Sequence, residues 1–213
     1  MHTKVEEYTY TGRRTALPLR YLVWCAVMNI TFGLGGLIFM CCALPLLALL
    51  IYLDSPGPIF YTQERLGYRG EKFTVYKFRS MTNRAERKGQ AIWAVKDDPR
   101  VTRVGRFLRA THFDELPQVL NILRGEMSLI GPRPERPEYA AELEAINPLY
   151  RHRLSVKPGL TGLAQVNYGY GSTSKDELEK LEFDLYYIQH QSFLLDVRIL
   201  LKTVREVVLC HGI

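Results

Sequence analysis

Residues 111–134 read THFDELPQVLNILRGEMSLIGPRP, and the rest of the chain is organised around this stretch. Two adjacent carboxylates, Asp114 and Glu115, precede Pro117, which falls in the first turn of a predicted helix, where a missing N–H costs nothing. Apolar residues follow at helical spacing until a glycine, which is typical of a helix end. The stretch closes on Arg133, which lies between two prolines.

The acidic pair has two interpretations. An acid at a helix N-terminus lies at the positive end of the helix dipole, which favours its ionised form. An ionised carboxylate beside a second one, with arginines nearby, is equipped to attack phosphorus or to hold a metal. The simpler alternative is capping, because Asp is a common N-cap and Glu is favoured in the first turn. Residue types alone favour capping, so the rest of the chain has to decide.

The composition indicates one domain, with at most an appendage, and an anionic partner. The chain has 213 residues, a formal net charge of +6 and a pI near 9.1. Such a balance fits nucleic acid, a membrane surface or a phosphorylated substrate. The excess is local, with 13 Lys/Arg against 4 Asp/Glu between Arg65 and Arg109. The four cysteines have neither metal-ligand nor disulfide spacing, which fits a reducing compartment.

Residues 21–53 form an apolar run of 33 residues without a charged side chain or histidine. A spanning helix needs about 20 residues and the apolar core of a signal peptide about 7–15, so the run predicts membrane insertion. Pro45, preceded by three glycines, predicts a break in the helix. Basic residues flank the run on both sides, which favours both ends on the cytoplasmic face. A helix–break–helix that enters and returns satisfies this, and a single traverse is the alternative.

Two segments after the apolar run predict a small hairpin sheet close to the membrane. Residues 59–61 and 73–79 have the apolar and alternating character of strands. Lys77 and Arg79 share one face of the second strand, because side chains repeat with a period of two. Two cations side by side suit a diphosphate, and a solvated strand face is the alternative.

Further helices are predicted along the remaining chain. A short helix around Val104–Leu108 carries arginines every third residue, and the last of them, Arg109, precedes Asp114 by five residues. Residues 82–100, with Trp93, are predicted as a loop or short helix, and residues 157–162 as a tight loop. Longer helices are predicted at 137–146, 177–188 and 193–209. The last of these fits either a helix in the lipid interface or an ordinary core-facing helix.

Three segments resemble the bacterial sugar transferase family, the monotopic phosphoglycosyltransferases. They are SPGPIFYTQERLG at 55–67, YKFRSM at 76–81, and DELPQ through GPRP at 114–134. The resemblance extends from about Asn29 to the end of the chain. Enzymes of this family move a phosphosugar from a nucleoside diphosphate sugar to a polyprenyl phosphate. Their products are a polyprenyl diphosphate sugar and a nucleoside monophosphate.

The resemblance implies a role for each residue of the acidic pair. Asp114 corresponds to the nucleophile, on which a covalent phosphosugar forms before the lipid phosphate displaces it. Glu115 corresponds to the acid associated with the essential Mg²⁺, and Asp114 is its neighbour at the metal. Arg109 corresponds to a residue that contacts substrate phosphate. Because Mg²⁺ binds through one or two carboxylates plus phosphates, no dense ligand cluster is expected.

The resemblance also implies substrate contacts on two further segments. Arg133, between Pro132 and Pro134, and Lys77 correspond to phosphate or nucleotide contacts. Arg79 is added because it shares the strand face of Lys77. Fixed cations are what charge on reacting phosphoryl oxygens requires, and flanking prolines restrict the backbone that carries the arginine.

The chain departs from the family pattern in the apolar run. Leu44-Pro45 stands where the family often has Ser-Pro, and Val27-Met28-Asn29 stands where basic residues and an Asp are common. These departures concern the mode of insertion and not the catalytic assignment. LTGLAQV at 160–166 and YGYG at 168–171 resemble members from exopolysaccharide pathways, which points to a hexose donor such as UDP-glucose or UDP-galactose.

The predicted fold is an α/β, mostly helical membrane-associated domain with a small antiparallel sheet and an N-terminal re-entrant helical hairpin. Residues 1–20 form a polar segment, 21–53 the membrane-inserted helix–break–helix, and 54–213 a cytoplasmic catalytic domain with interfacial helices. The predicted location is the cytoplasmic face of the bacterial inner membrane.

The predicted function is transfer of a phosphosugar from a UDP-sugar to undecaprenyl phosphate, the first step of exopolysaccharide or other glycoconjugate assembly. The partners are the UDP-sugar, the polyprenyl phosphate and membrane lipid, and a homodimer is left open. Carboxylates beside arginines, instead of arginines with stacking aromatics, argue against nucleic acid. The alternatives are a membrane-bound metal-dependent phosphatase or pyrophosphatase, and a non-enzymatic anchor whose basic surface binds anionic lipid or nucleic acid.

Overall fold

A computed structural model describes residues 16–83, 85, 98–168 and 173–209. Most of the polar segment 1–20, the loop with Trp93, and the larger part of the YGYG motif lie outside these residues. The expectations for those segments stay predictions.

The longest element is α1, a single helix that runs from Leu19 to Asp54. Its 36 residues are long and apolar enough to cross a membrane. The predicted re-entrant hairpin is not confirmed, because Pro45 lies inside this helix and the helix continues on both sides of it. Proline removes one hydrogen bond from the ladder. However, Met40 and Leu47, which flank it, pack into the same core cluster and hold both halves against the domain.

One side of α1 packs tightly against the rest of the chain. Gly33 and Gly36 lie at the contact, where an added Cβ atom would come within 2.6 Å of the side chains of Leu123 and Val119 respectively. The two glycines therefore allow the helix backbone to approach closely. The opposite side of α1 exposes a series of large apolar side chains: Val23, Val27, Ile30, Leu34, Ile38, Leu46, Leu49 and Leu53.

Polar contacts fasten α1 to the domain near both ends and in between. Along the helix, the distance from the first of these contacts to the last is about 45 Å, which exceeds the roughly 30 Å hydrocarbon thickness of a bilayer. The contacts are Trp24 Nε1 to Asp196 Oδ2 at 3.3 Å, Leu129 N to Asn29 Oδ1 at 2.7 Å, and Val104 N to Asp54 Oδ2 at 2.8 Å.

The small antiparallel sheet is confirmed. Strands β1, Phe60–Leu66, and β2, Lys72–Phe78, pair from Phe60 opposite Phe78 to Leu66 opposite Lys72. A 3₁₀ turn at Tyr68–Gly70 joins them. Strand β1 is longer than the apolar residues alone predict, because its polar residues also form backbone ladder bonds with β2.

Helices dominate the remaining chain, and the predicted ones are found. The helix α6 begins at Ser174, before the predicted Glu177, because Thr173 and Asp176 form a capping box. Two further 3₁₀ helices occupy Phe113–Gln118 and Pro148–Ser155. The α-helices are α2, Arg103–Ala110; α3, Val119–Leu123; α4, Pro137–Ile146; α5, Leu163–Asn167; α6, Ser174–Gln189; and α7, Phe193–Val208.

A short parallel strand pair corrects the expectation of a loop at 157–162. Strand β3, Ser128–Ile130, pairs with β4, Gly159–Thr161. Glycines permit this pairing, because a Cβ atom on Gly159 would lie 2.1 Å from the backbone nitrogen of Gly131. The chain leaves β3 directly into the Pro-Arg-Pro segment, so the pair places that segment at the carboxyl end of a strand.

The apolar side of α7 faces outward. Ile199 and Asp196 are buried, whereas Leu194, Leu201, Val204 and Val208 are all at least 60% exposed. Of the two interpretations of this helix, the exposed apolar side matches a helix in the lipid interface. Together with α1, it makes the fold compatible with a membrane-associated domain.

Candidate active site

The acidic pair lies in the first turn of the 3₁₀ helix Phe113–Gln118, as the sequence predicts. The preceding residue, His112, has a left-handed backbone with φ of 58°, and no side-chain cap is found at this helix start. Asp114 and Glu115 are 8% and 9% exposed. Neither carboxylate therefore caps the helix, and the capping interpretation is wrong for this helix start.

Glu115 is held between two cations. Lys77, from β2, places Nζ 2.7 Å from Oε1, and Arg133 places Nη2 2.5 Å from the same oxygen and Nη1 3.3 Å from Oε2. Burial alone would raise the pKa of Glu115, but the guanidinium of Arg133 and the ammonium of Lys77 hold it well below its usual range. Glu115 thus links β2 to the Pro-Arg-Pro segment through its ionised carboxylate.

Asp114 is in the opposite situation. Its carboxylate accepts no hydrogen bond from any residue that the structure describes. Burial raises the pKa of Asp114 to about 6, although the charges of Lys77 and Arg109 oppose the rise. Neighbouring carboxylates with pKa values driven in opposite directions are typical of catalytic sites, where one acid reacts and the other stays ionised.

Arg109 comes close to Asp114 from α2. Its Nε donates to Ser80 Oγ over 2.9 Å, and its charge lowers the pKa of Asp114. Gly105 allows α2 to pack this closely against Ser80, because a Cβ atom at position 105 would lie 1.9 Å from the carbonyl oxygen of Ser80. The structure thus brings the charge of Arg109 near Asp114, and a contact of Arg109 with substrate phosphate stays a prediction.

The loop formed by Pro132, Arg133 and Pro134 is fixed through its backbone. The two prolines are buried, whereas the side chain of Arg133 is 44% exposed. Every carbonyl of the loop accepts a hydrogen bond. The donors are Gly159 N to Pro132 O at 2.9 Å, Arg153 Nη2 to Arg133 O at 2.9 Å, and Arg65 Nη1 to Pro134 O at 3.2 Å.

Arg153 is a site residue that the sequence analysis missed. It is buried, and its Nε donates to Asp184 Oδ2 over 2.7 Å while its Nη1 donates to the hydroxyl of Tyr150. A signal was present in α6, because Asp184 falls on the same side of that helix as Leu181 and Ile188. An acid on the apolar side of a helix indicates a buried cationic partner.

Arg79 occupies a different place from the one its strand position predicts. Its guanidinium is buried and donates to the carbonyl oxygens of Ile51, Ser55 and Pro56, with the Ile51 and Pro56 contacts at 3.4 Å. It therefore closes the C-terminal end of α1 instead of lining the acidic pair. Free carbonyls at a helix end attract a cation, which explains this placement.

A cavity of about 260 Å³ is lined by the Pro-Arg-Pro loop and by Arg153. Arg133 lines this cavity and also binds Glu115, so it belongs to both sites. Leu66, Ala140 and the buried Tyr150 contribute to the apolar part of the wall.

The acidic pair offers carboxylate oxygens but no closed metal cage. Within the described residues, no group of three or more His, Cys, Asp or Glu side chains is arranged for a metal. One or two carboxylates suffice for Mg²⁺ when substrate phosphates complete its shell. Asp114, with a carboxylate free of hydrogen bonds to described residues, and Glu115 fit such a shared ion.

Comparison with known proteins shows which proteins the chain resembles. Residues 20–210 match the family model described as bacterial sugar transferase. The chain is 46% identical over 165 residues to the UDP-N-acetylgalactosamine-undecaprenyl-phosphate N-acetylgalactosaminephosphotransferase of Aeromonas hydrophila, an alignment that covers 78% of this chain and 39% of that protein.

Two further relatives show the same similarity. The UDP-glucose:undecaprenyl-phosphate glucose-1-phosphate transferase of Escherichia coli (strain K12) is 44% identical over 169 residues, covering 78% of this chain and 35% of that protein. The exopolysaccharide production protein PSS of Rhizobium leguminosarum bv. phaseoli is 41% identical over 189 residues, covering 86% and 94%. The chain thus spans little more than a third of the first two relatives and nearly all of the third.

Proposed function

The chain belongs to the bacterial sugar transferase family, and we propose that it transfers a sugar 1-phosphate from a UDP-sugar to undecaprenyl phosphate with release of UMP. Its relatives place it among the polyprenyl-phosphate sugar phosphotransferases, which are enzymes. The observation that carries the proposal is the division of labour in the acidic pair: Glu115 is bound by two cations, and Asp114 is left without a hydrogen bond from the described residues.

In the first step, Asp114 attacks the phosphorus that bears the sugar. A bond forms between its carboxylate oxygen and phosphorus, the bond to the bridging oxygen breaks, and UMP leaves with that electron pair. A carboxylate with a pKa near 6 is mostly ionised at neutral pH. It is also more basic than an exposed aspartate, which makes it the better nucleophile of the pair.

In the second step, an oxygen of the lipid phosphate attacks the same phosphorus. The bond between phosphorus and the oxygen of Asp114 breaks, which regenerates the carboxylate and yields the polyprenyl diphosphate sugar. Both steps pass through one site, so the enzyme alternates between a soluble and a lipid substrate without moving the nucleophile.

Fixed cations stabilise the charge on the reacting phosphoryl oxygens. Arg133 and Lys77 converge on Glu115 and thereby lie beside Asp114, while Arg109 approaches from α2. Because these groups are already ordered, little reorganisation is needed during the reaction. Asp114, Glu115 and the diphosphate of the substrate would together hold Mg²⁺. The ion would supply further positive charge at the reacting phosphoryl group.

We propose that α1 lies within one leaflet, with the domain on the cytoplasmic face of the inner membrane. Its contacts with the domain extend about 45 Å along the helix, so a perpendicular traverse would draw charged groups such as Glu115 and Arg133 towards the hydrocarbon. Burying unsolvated charge there is costly. The exposed apolar side of α1, from Val23 to Leu53, instead provides a surface for lipid tails.

For the donor, we propose a hexose and a place in exopolysaccharide assembly. The relatives are named for glucose and N-acetylgalactosamine, and the length-matched relative is named for exopolysaccharide production. UDP-glucose is therefore the first donor to test and UDP-N-acetylgalactosamine the second.

A UMP-release assay in nanodiscs tests the proposal. Each UDP-sugar is supplied with and without undecaprenyl phosphate. We expect sustained UMP release only when both substrates are present, and at most one UMP per enzyme without lipid. Sustained release of nucleotide or phosphate without lipid would contradict the proposal and favour the phosphatase or pyrophosphatase alternative.

A further inference from the structure

Three phenylalanines, two of them exposed and the central one partly buried, form a continuous row of rings on α1, on α2 and next to Asp114, which we call the aromatic ridge. It consists of Phe39 on α1, Phe113 immediately before Asp114, and Phe107 on α2. The ring centroids of Phe39 and Phe113 are 5.7 Å apart, and those of Phe107 and Phe113 are 6.2 Å apart. Both pairs meet edge to face, at 66° and 89°. The ridge therefore connects the membrane helix to the residue next to the nucleophile.

The central ring of the ridge packs against the protein core, and the two outer rings are exposed to solvent. Phe113 packs on a core cluster that includes Met40 and Val119, so the central ring is anchored. The two outer rings remain accessible, with Phe107 53% and Phe39 48% exposed. Two large aromatic rings held in a fixed orientation at the surface form a contiguous apolar patch. Such a patch differs from single scattered apolar residues, which need no explanation.

Charge is distributed unevenly around this patch. Arg103 and Arg106 are exposed on α2, and they precede Phe107 by four residues and by one residue. Arg109 lies on the same helix towards Asp114. The other end of the ridge, at Phe39, merges with the exposed apolar side of α1. A ligand that fits this arrangement has an anionic head and an apolar tail.

We propose that the aromatic ridge binds the first isoprene units of the polyprenyl phosphate and brings its phosphate to Asp114. This inference rests on the proposed function and adds the place where the acceptor lipid binds. Charge complementarity decides for this occupant, because the exposed Arg103 and Arg106 on α2 suit an anionic head while the ridge suits an apolar tail. Phe113 is also the sequence neighbour of Asp114.

The form of the rings favours an isoprenoid over a saturated chain. Edge-to-face rings present both faces and edges, which contact flat alkene units with methyl branches more completely than a flexible acyl chain. Aromatic side chains also offer a large apolar contact area in a fixed geometry. The ridge thus selects the carrier lipid from the surrounding bilayer lipid.

The two half-reactions allow a direct test. The double variant Phe107→Leu/Phe113→Leu keeps an apolar surface but removes both rings. The first half-reaction is measured as a UMP burst without lipid. The second is measured as transfer from the sugar-loaded enzyme to undecaprenyl phosphate or, separately, to dodecyl phosphate. Phe193→Leu is the matched control. Phe193 is the first residue of α7, is 49% exposed, and its ring contacts Trp24 near the N-terminal end of α1, away from the ridge.

We expect the double variant to raise KM for undecaprenyl phosphate by about 10-fold, as lost aromatic contacts predict. KM for dodecyl phosphate should change less than 3-fold, and the control should match the parent enzyme. An unchanged KM for undecaprenyl phosphate, or equal losses with both lipids, would overturn the proposal. Absence of a UMP burst in the parent enzyme with every UDP-sugar would instead overturn the proposed function on which it rests.

Discussion

Nη2 of Arg153 donates to the backbone carbonyl of Arg133 over 2.9 Å, so that a buried arginine fixes the backbone of an exposed one. Arg153 is itself paired with Asp184, which is 2% exposed. The backbone position of Arg133 therefore depends on a buried charge pair. We regard Arg153 as a positioning residue for the Pro-Arg-Pro loop.

Variants of the Arg153–Asp184 pair should show separate effects on the stability of the protein and on KM for the UDP-sugar. Arg153→Met alone should cost about 3–5 kcal/mol, because it leaves Asp184 buried without a partner. The double variant Arg153→Met/Asp184→Leu removes both charges and should recover most of the Tm. It still lacks the hydrogen bond to the loop, so KM for the UDP-sugar should rise about 10-fold.

The matched control is the ion pair of Lys180 and Glu177 on the same helix, where the two side chains are 2.7 Å apart. Lys180→Met/Glu177→Gln should leave KM unchanged. A parental KM in the Arg153/Asp184 double variant, measured with a folded protein, would contradict the positioning role.

Arg79 should affect stability and not substrate affinity. Arg79→Met leaves the carbonyls at the end of α1 without their donor, which should lower the free energy of unfolding by about 1–3 kcal/mol. KM for the UDP-sugar should stay within 2-fold of the parent value. Lys77→Met provides the contrast, because it removes a cation bound to Glu115 and should raise KM strongly. Steady-state kinetics and thermal unfolding distinguish the two, and a large KM increase in Arg79→Met would restore its predicted role in substrate binding.

The first half-reaction should depend on pH through Asp114. Since its pKa is raised to about 6, the reactive carboxylate form increases as the pH rises through 6. The rate of the UMP burst should therefore rise about tenfold per pH unit below 6 and level off above pH 7. Rapid-quench measurements of the UMP burst on both sides of pH 6 test this, and a burst rate that does not change with pH there would contradict the role of the Asp114 carboxylate.

The same pKa has a consequence for stability. The protonated form of Asp114 is favoured by folding, so its contribution is fully present below the ordinary pKa of 3.8 and is lost as the pH rises through about 6. Asp114→Asn cannot ionise, so it should have a higher Tm than the parent protein above pH 6 and the same Tm near pH 4. Equal Tm values across this range would contradict the raised pKa.

How far the sequence predicts the fold depends on the range of the interactions. The stretch from Thr111 to Pro134 carries its own helix signals, and the helix start at the acidic pair is found where these signals place it. The antiparallel strands β1 and β2 are joined by a short turn, so their pairing is also local. The 16-residue helix α7 has enough turns for its apolar periodicity to identify it.

What the sequence does not predict involves partners far apart in the chain. Strands β3 and β4 have three residues each, too few for an alternating pattern, and their pairing depends on glycines that permit close approach. The alternating pattern assigns Arg79 to the face of Lys77, but β2 ends at Phe78 and the Arg79 side chain binds carbonyls at the end of α1, which is distant in sequence. The role of Arg153 depends likewise on Asp184, which is distant in sequence.

Metal dependence should act through Glu115. EDTA should abolish UMP release, and added Mg²⁺ should restore it. Glu115→Gln removes one of the carboxylates that fit the ion and weakens the hold on Lys77 and Arg133, so the Mg²⁺ concentration for half-maximal activity should rise about 10-fold. Titration of Mg²⁺ against initial rate measures this. Full activity in EDTA would exclude the proposed shared ion.

The most direct test of the central claim is intact mass spectrometry of the enzyme incubated with a UDP-sugar in the absence of lipid. We predict a mass increase of one phosphosugar, mapped to the peptide that contains Asp114, which disappears when undecaprenyl phosphate is added. Asp114→Asn should show no adduct and no UMP burst. An adduct on another residue, or a parental UMP burst from Asp114→Asn, would contradict the assignment of Asp114 as the nucleophile.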